Sequence, residues 1–510
     1  MAVIVLSNLS TALTYVDSCR NLATPNEVYI INKTLSGDNC LNISSSYITL
    51  NGNYSTFNYR ILTSNATNIY GISINASNVV INNTFVNNSY YPYFINNSHN
   101  STIVNSFSWN NRPNGTGFFV HNSDNMTFRN INATAHTSST GALSGSMRFY
   151  SSNNLLLEYV NTTSGILVNK SINFVMNYSK NILGGIFIDN VTNVLVQNNN
   201  YTSIGVVVGG YQLLSSNNIS IFNGWAKALQ SGSNPIRITS SNNIIVNGTY
   251  LDGNSVNCIA VIRGSNISIN QSFMMVSSGS VTCFDVSAPS TNILLENSII
   301  RNTGGTTAFN VLGQNVTIRN INSTAGAFIL STTTTSKNIL VKNISHTSTG
   351  TNNQGVVSVA GNNITVTDVS YIFYGRNVTM FNILPDANNM YFNNIAGLNN
   401  LTNVNNSNVN SKGIVLNRYR NINITFNNIS FEILYNVFNS SMINVTNIKI
   451  MNSNMIAHNN ISSFNFNTTK NSYVYNITII NSTIRGLQNI TYLNYVNRPI
   501  IWLYNSRLNI

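Results

Sequence analysis

The acidic residues are the first candidates for chemistry in this chain. Glycoside hydrolysis generally uses two carboxylates at a defined separation, and calcium binding needs several oxygen ligands. The chain has only 12 Asp and Glu residues, and its sequence repeats every 23–26 residues. Acids on adjacent repeats would need that separation, and the nearest pair, Asp17 and Asp38, falls short of it. We therefore predict a protein that is not an enzyme and that uses no metal and no cofactor.

Two histidines form the second candidate site. His99 and His121 lie almost one repeat apart, with Asp124 and Arg148 further along the chain. If they stacked on adjacent repeats, they could bind a metal or exchange protons, because imidazole titrates near neutral pH. Isolated surface histidines would give the same pattern, and we prefer that interpretation.

The four cysteines are spaced for cross-links. The separation of Cys19 from Cys40 and that of Cys258 from Cys283 are each close to one repeat. Residues one winding apart in a stacked-strand fold have Cα atoms about 5 Å apart, within disulfide range. We predict two disulfides, which persist mainly outside the cytosol. Free buried cysteines are the alternative.

An aromatic run is the best candidate for contact with a ligand. Tyr90 and Tyr91 are followed by Pro92, Tyr93 and Phe94. Exposed aromatic faces stack on sugars or anchor protein partners. We predict binding by Tyr90, Tyr91 and Tyr93, with their inclusion in the core as the alternative.

Asparagine dominates the sequence and creates many acceptor motifs for N-glycosylation. The 38 Asn-x-Ser/Thr motifs exceed the roughly 21 expected by chance from 100 Asn and 108 Ser and Thr. The excess predicts a glycosylated chain exposed outside the cell, although a strand-turn repeat could generate the motif by itself. The sites we single out are Asn82, Asn125, Asn218, Asn247, Asn266, Asn315, Asn343, Asn363, Asn423 and Asn476.

These residues are set in a recurring phrase, in which Asn precedes two to four apolar residues that alternate with polar ones. It begins at positions 218, 243, 266, 292, 315, 338 and 363. Alternation at period two indicates strands, and a fixed repeat of this length indicates stacked units that cannot bury an apolar face alone. We predict an all-β parallel β-solenoid of roughly 18 coils, with Asn side chains hydrogen-bonded from coil to coil.

The repeat resembles the pectin-lyase-like, right-handed parallel β-helix superfamily. The segment from Val28 to Asn53 is similar to an opening coil, and a second copy runs from Asn243 through Cys258 to Asn266. The resemblance implies a right-handed β-helix with terminal caps. Many enzymes of this superfamily cut polysaccharides, so a lyase or glycoside hydrolase is an alternative, but a fold does not identify a substrate.

The repeat runs without a clear linker, which predicts three segments. Residues 1–45 would form an N-terminal cap and first coil, 46–480 the β-helix, and 481–510 a C-terminal cap or assembly segment. Open solenoid ends expose strand edges and core, and need such covers. The apolar start at Met1 carries no basic residue and does not match a secretory signal peptide.

Charge is sparse. The net charge of +12 comes from 24 basic residues spread without a cluster, which argues against nucleic-acid binding. No apolar run is long enough for a membrane span. Because few carboxylates are present, we expect little loss of stability in acid. The chain is rich in Asn and Ile and dense in N-glycosylation motifs. In this it resembles surface proteins of thermoacidophilic archaea and their viruses.

We therefore predict a non-enzymatic, glycosylated surface rod, most readily a virion spike or fibre of an archaeal virus that attaches to the host. Its partners would be a host surface glycan or protein receptor and other virion or surface proteins, with homo-oligomerisation left open. The alternative is a cell-surface or filament structural protein of the archaeon itself.

Overall fold

The computed structural model describes the backbone of most of the chain. The described residues are 12–510 except 55–59, 64–68, 111, 113–114, 136–144, 182–183, 204–209, 230–233, 278–280, 303–306, 327, 349–351, 374–376, 400–411, 417–419, 434–436, 441–443, 458–463, 467–472, 486–490, 493–500, 505–506 and 509–510. The chain divides into two compact units, Met1–Ser233 and Asn234–Ile510. Within each unit, every winding contributes strands to a first sheet and one strand to a second sheet, and all described pairings are parallel.

The strands of unit 1 follow the chain three to a winding. Those of its first sheet are β1 (Leu13–Val16), β3 (Val28–Ile31), β4 (Leu35–Ser36), β6 (Thr49–Asn51), β7 (Ile61–Leu62), β9 (Val80–Asn82), β10 (Phe85–Asn87), β12 (Thr102–Val104), β13 (Phe107–Trp109), β15 (Met126–Arg129), β16 (Asn132–Thr134), β18 (Leu155–Glu158), β19 (Asn161–Thr162), β21 (Ile172–Asn177), β22 (Lys180–Asn181), β24 (Thr192–Gln197), β25 (Asn200–Ser203), β27 (Asn217–Phe222) and β28 (Trp225–Ala228). Those of its second sheet are β2 (Arg20–Leu22), β5 (Leu41–Ile43), β8 (Tyr70–Ile74), β11 (Tyr91–Asn96), β14 (Phe118–His121), β17 (Gly145–Tyr150), β20 (Gly165–Asn169), β23 (Ile186–Asp189) and β26 (Tyr211–Leu214).

In unit 2, several windings merge the two strands of the first sheet into one strand of 12 residues. The strands of this first sheet are β30 (Asn242–Asn247), β31 (Tyr250–Gly253), β33 (Ser265–Asn270), β34 (Phe273–Val276), β36 (Thr291–Asn302), β38 (Gln314–Ala325), β40 (Lys337–Ser348), β42 (Asn362–Phe373), β44 (Asn388–Asn399), β46 (Arg420–Ile433), β48 (Asn444–Met451), β49 (Asn454–Ala457), β51 (Tyr473–Ile480), β52 (Thr483–Arg485), β54 (Ile501–Tyr504) and β55 (Arg507–Leu508). Those of the second sheet are β29 (Ile236–Thr239), β32 (Ile259–Ile262), β35 (Phe284–Ser287), β37 (Thr307–Val311), β39 (Phe328–Thr332), β41 (Asn352–Val359), β43 (Asn377–Ile383), β45 (Lys412–Leu416), β47 (Phe438–Ser440), β50 (Phe464–Phe466) and β53 (Thr491–Tyr492).

The repeated asparagines explain why the chain turns where it does. The Asn that opens each phrase has a positive φ, for example 53° at Asn315 and 58° at Asn363. Side chains other than Gly and Asn are strained in this left-handed conformation. The strand that follows then alternates buried and half-buried residues, as in Ile267 and Ile269 around Ser268. The turn and the strand are thus encoded together in one short phrase.

The core consists of apolar columns that run from winding to winding. In unit 1 Tyr93, Phe118 and Met147 are in register and fully buried. In unit 2 Val316, Ile339 and Ile364 are aligned in the same way. Each winding buries its apolar side chains only by stacking on its neighbours, as expected for a repeat of this length.

The predicted all-β parallel β-helix is confirmed. The described residues contribute nine strands to the second sheet in unit 1 and eleven in unit 2, so the number of windings differs slightly from the roughly 18 expected. The caps stay predictions, because residues 1–11 and most of 486–510 lie outside the described part. In the part of the chain that is described, no helix is long and apolar enough to cross a membrane.

Candidate functional site

A cluster of surface rings lies on the outer face of the second sheet of unit 1. Strands β11, β14 and β17 place Phe94, Phe119 and Arg148 side by side, one on each winding. All three side chains are half-buried. We call this cluster the aromatic patch, and it comprises Tyr70, Tyr90, Tyr91, Phe94, Phe119, Arg148 and Tyr150.

The rings of the aromatic patch contact each other directly. Phe94 and Phe119 stack in parallel, with centroids 5.5 Å apart and an interplanar angle of 1°. Tyr91 packs against Phe119 at 5.1 Å and against Tyr90 at 4.7 Å. Tyr150 extends the row beyond Phe119 at 5.7 Å. The rings hold each other in place, so the patch offers a preformed aromatic surface.

Arg148 supplies positive charge inside this aromatic surface. Its Nε atom is buried and has no hydrogen-bond partner. Burial lowers the pKa of the Arg148 guanidinium, while the nearby Tyr150 and Tyr91 act to raise it. Burial, and then the proximity of Tyr90, raises the pKa of Tyr91.

Two other arginines in the described part of the chain have acidic partners. Arg129 pairs with Glu158 and Arg319 with Glu296, each at 2.6 Å. Arg148 is paired with no carboxylate among the described residues, so its charge is left for an external group.

The prediction of surface binding by Tyr93 is wrong. Tyr93 is fully buried and stacks on Phe118, with ring centroids 4.2 Å apart. Its hydroxyl lies 2.7 Å from the hydroxyl oxygen of Thr84. The alternation of the strand explains the error, since Tyr93 points inward with Ile95 while Phe94 points outward. Binding by Tyr90 and Tyr91 stays a prediction, and both side chains are half-buried at the surface.

The two histidines have different neighbours. His99 accepts a hydrogen bond at Nδ1 from the backbone N–H of Asp124 at 3.1 Å, and the same nitrogen lies 3.8 Å from the Asp124 carboxylate. His121 lies beside the side chain of Asn96, at 3.0 Å and one winding of 25 residues away. The separation of His99 from His121 is shorter than this winding, so the two rings are not in register. Arg148 belongs to the aromatic patch.

The acids are equally dispersed. Asp285 accepts hydrogen bonds from Asn310 at 2.7 Å and from Asn257 at 3.1 Å. Burial raises the pKa of Asp285, and the Asn310 hydrogen bond opposes that shift. Within the described residues, no group of three or more His, Cys, Asp or Glu side chains is arranged to hold a metal.

Both predicted disulfides are confirmed. Cys19 is bonded to Cys40 with Cα atoms 4.4 Å apart, and Cys258 to Cys283 with Cα atoms 4.8 Å apart. Each bond joins adjacent windings just before a strand of the second sheet, where Arg20 is in register with Leu41 in the first case.

Most of the asparagines predicted to be glycosylated lie on the surface. Asn82 and Asn247 are partly exposed and the other eight are exposed. Nearly all take part in hydrogen-bonded rows of Asn side chains, such as Asn315 donating to Asn292 at 3.0 Å. The expected coil-to-coil Asn bonding is therefore present, while glycosylation itself stays a prediction.

Tyr70, Phe119 and Tyr150 belong to the aromatic patch but were not predicted from the sequence. The signal was present in part, because Phe119 follows Phe94 by one winding of 25 residues. Tyr150 follows His121 by a longer winding of 29 residues. Unequal windings hide such neighbours from a fixed repeat.

Comparisons with known proteins give remote structural likenesses. No protein-family model and no curated protein matches the chain. The A-module of the mannuronan C-5 epimerase AlgE6 of Azotobacter vinelandii is 11% identical, with 71% of this chain and 91% of that chain covered and a TM-score of 0.33. The surface protein and adhesin PfbA of Streptococcus pneumoniae is 11% identical, with 76% and 92% covered and a TM-score of 0.24. A PL6 alginate lyase in complex with a trisaccharide is 12% identical, with 77% and 87% covered and a TM-score of 0.24. At these values the likenesses carry no inference about activity.

Proposed function

We propose that this protein is a non-enzymatic extracellular β-helix that attaches to a surface glycan through the aromatic patch. The observation that carries the proposal is the outward-facing row of Phe94, Phe119 and Tyr150 around Arg148, which has no acidic partner among the described residues. On a virion, such a protein would serve as a spike or fibre for host attachment.

The chemistry of the patch suits a sugar. The apolar C–H faces of a pyranose pack on aromatic rings, and rings already held by their neighbours lose little freedom on binding. The guanidinium of Arg148 can donate to sugar oxygens, and its free charge favours a glycan with a carboxylate or sulfate group. A half-buried row of rings spread over adjacent windings fits attachment to a polymer.

The distribution of acids supports binding over catalysis. Hydrolysis of glycosides generally needs two carboxylates facing one bond. The acids of the second-sheet strands that are described, such as Asp189 and Asp285, sit on separate windings with asparagine partners. The two disulfides support a location outside the cytosol, where such bonds persist.

The test is binding of purified protein to host cells and to an array of neutral and acidic glycans. The variant Phe94→Ser combined with Phe119→Ser removes two outward rings and leaves the inward core residues unchanged. We expect it to weaken binding by about tenfold or more, because aromatic anchors contribute roughly 1.5–2 kcal/mol or more. The control is Phe187→Ser, a half-buried ring on the same face, two windings from Arg148.

Several outcomes would overturn the proposal. Equal loss with the Phe187→Ser control would show that binding does not use the patch. Binding to a protein extracted from the host, but to no glycan, would replace the glycan with a protein receptor. Release of new reducing ends from a bound glycan would make the protein an enzyme. Immunogold labelling of particles and of cell envelopes separates a virion spike from a cellular surface protein.

A further inference from the structure

A row of asparagines runs along unit 2, with one member near the start of each of the first-sheet strands β30, β33, β36, β38, β40, β42, β44, β46, β48 and β51. Its members all have φ between 52° and 58°. They are Asn243, Asn266, Asn292, Asn315, Asn338, Asn363, Asn389, Asn423, Asn447 and Asn476. Successive members are joined by Nδ2 to Oδ1 hydrogen bonds of 2.8–3.1 Å, except that Asn389 donates to Asn362 at 3.2 Å. We call this row the asparagine ladder.

The amides of the ladder all point the same way. Asn292 donates to Asn266 on the preceding winding and accepts from Asn315 on the following winding. Its donating N–H therefore points opposite to its C=O. The hydrogen on the same side as the carbonyl oxygen is the one that the ladder does not use.

This geometry is compatible with N-glycosylation. An N-substituted amide prefers the trans arrangement, in which the remaining N–H lies opposite to the oxygen. A sugar on Nδ2 would replace the hydrogen that the ladder leaves unused, and the coil-to-coil hydrogen bond would remain. The donor would be a lipid-linked oligosaccharide phosphate or diphosphate. Nδ2 attacks its anomeric carbon, the carbon–oxygen bond to phosphate breaks, the lipid phosphate leaves, and a base of the transferase takes the amide proton.

Acceptor motifs alternate along the ladder. The third residue of the motif falls on the outward face of the following strand, where Ser268, Leu294 and Thr317 are in register. Motifs therefore occur at Asn266, Asn315, Asn363, Asn423 and Asn476. They are missing at Asn243, Asn292, Asn338, Asn389 and Asn447. The ten members follow this alternation without exception.

We propose that the asparagine ladder is a mount for N-glycans on every second winding of unit 2. The inference rests on the extracellular location of the proposed function but not on the aromatic patch. Nitrogens on adjacent windings would lie about 4.8 Å apart, little more than the contact distance of two carbon atoms. Two sugars there would be forced to stack and lose conformational freedom. Alternate windings provide about 9.6 Å, so each glycan keeps its own space.

Unit 1 does not follow the alternation, since the successive members Asn154, Asn173 and Asn193 of its own row all lack motifs. Asn100 and Asn125 are adjacent rungs of the ladder in that unit, joined by a hydrogen bond of 2.8 Å, and both begin acceptor motifs. If adjacent glycans exclude each other, only one of the two carries a glycan on any molecule. Thr102→Val removes the motif of Asn100 and leaves Asn100 in the ladder. Two sites one strand spacing apart that exclude each other share the available occupancy. Removing the Asn100 motif should therefore raise occupancy at Asn125 by up to roughly twofold.

The experiment is site-by-site measurement of occupancy by glycopeptide mass spectrometry, on protein made in a host with N-glycosylation. In unit 2, Leu294→Thr gives Asn292 a motif at a half-buried outward position between two existing sites. We expect any glycan at Asn292 to reduce occupancy at Asn266 and Asn315. The control is Thr317→Val in the same background, which removes the Asn315 motif and should raise occupancy at Asn292.

Three results would overturn the proposal. One is the absence of glycans from all ladder motifs. Another is simultaneous high occupancy at Asn266, Asn292 and Asn315 in the Leu294→Thr variant. The third is an unchanged Asn125 occupancy in the Thr102→Val variant. None of them affects the glycan-binding test of the aromatic patch, so the two proposals fail separately.

Discussion

A buried histidine in unit 2 should make the protein sensitive to acid. His346, on β40, is fully buried between Ser323 and Tyr371 on the adjacent windings. Its Nδ1 lies 2.7 Å from the Ser323 hydroxyl, its ring stacks on Tyr371 at 5.2 Å, and its Nε2 has no hydrogen-bond partner. Burial lowers the pKa of His346 from 6.5 to about 3, because protonation would put a charge and a further N–H into apolar surroundings.

The direction of the pH effect on stability follows from the protons that the folded and the unfolded chain bind at His346. Below pH 6.5 the unfolded chain binds a proton at His346 that the folded chain does not bind. The stabilising difference is fully present above pH 6.5 and is lost as the pH falls from 6.5 towards 3. At about 1.4 kcal/mol per pH unit, the loss from pH 6.5 to pH 4 is about 3 kcal/mol. The prediction of little loss of stability in acid rests on the number of carboxylates and does not include this buried imidazole.

The assay is urea unfolding followed by circular dichroism at pH 7 and pH 4. The double variant His346→Phe with Ser323→Ala keeps an aromatic ring against Tyr371 and removes the hydroxyl that would otherwise lose its partner. Its loss of stability between the two pH values should be smaller than that of the natural chain by about 3 kcal/mol. The control is His121→Phe, which replaces an imidazole ring at an exposed position outside the core. Equal pH dependence in the double variant and the natural chain would refute the reasoning.

Three further predictions concern the scaffold. Asn315→Ala should destabilise more than Asn315→Gly by about 1 kcal/mol in urea, because both lose the ladder bonds but only Ala is strained at positive φ; equal midpoints would contradict this. Cys258→Ser with Cys283→Ser should lower the free energy of unfolding by about 3.5 kcal/mol, as the chain-entropy model gives for a loop of this length. A urea midpoint equal to that of the natural oxidised chain would argue against the bond. Tyr93→Phe should cost about 1 kcal/mol through the lost Thr84 hydrogen bond and leave glycan binding unchanged, whereas reduced binding at unchanged stability would return Tyr93 to the surface site.

The fold was predictable because one phrase encodes it repeatedly. Asn at the turn tolerates positive φ, and the alternating apolar residues after it set the buried face of the strand. The disulfides were predictable for the same reason, since Cys258 and Cys283 are one winding apart and their neighbours Ile259 and Phe284 are in register. At these positions the local sequence and the stacking of adjacent windings predict the same structure.

The site was harder to predict because it depends on the length of each winding. His99 meets Asp124 and not His121, because a full winding separates His99 from Asp124. Tyr150 joins the aromatic patch after a longer winding. Tyr93 could have been placed correctly from its parity with Ile95, since both alternate inward on β11. Assembly of the patch from Tyr70 to Tyr150 required the actual register of every strand.

The most direct test of an extracellular, covalently reinforced β-helix is the intact mass of the protein from its native source, with and without reduction. We predict a mass that falls on enzymatic removal of N-glycans, together with four cysteines that react with alkylating reagents only after reduction. A mass unchanged by that treatment, with four freely reactive thiols, would contradict the account.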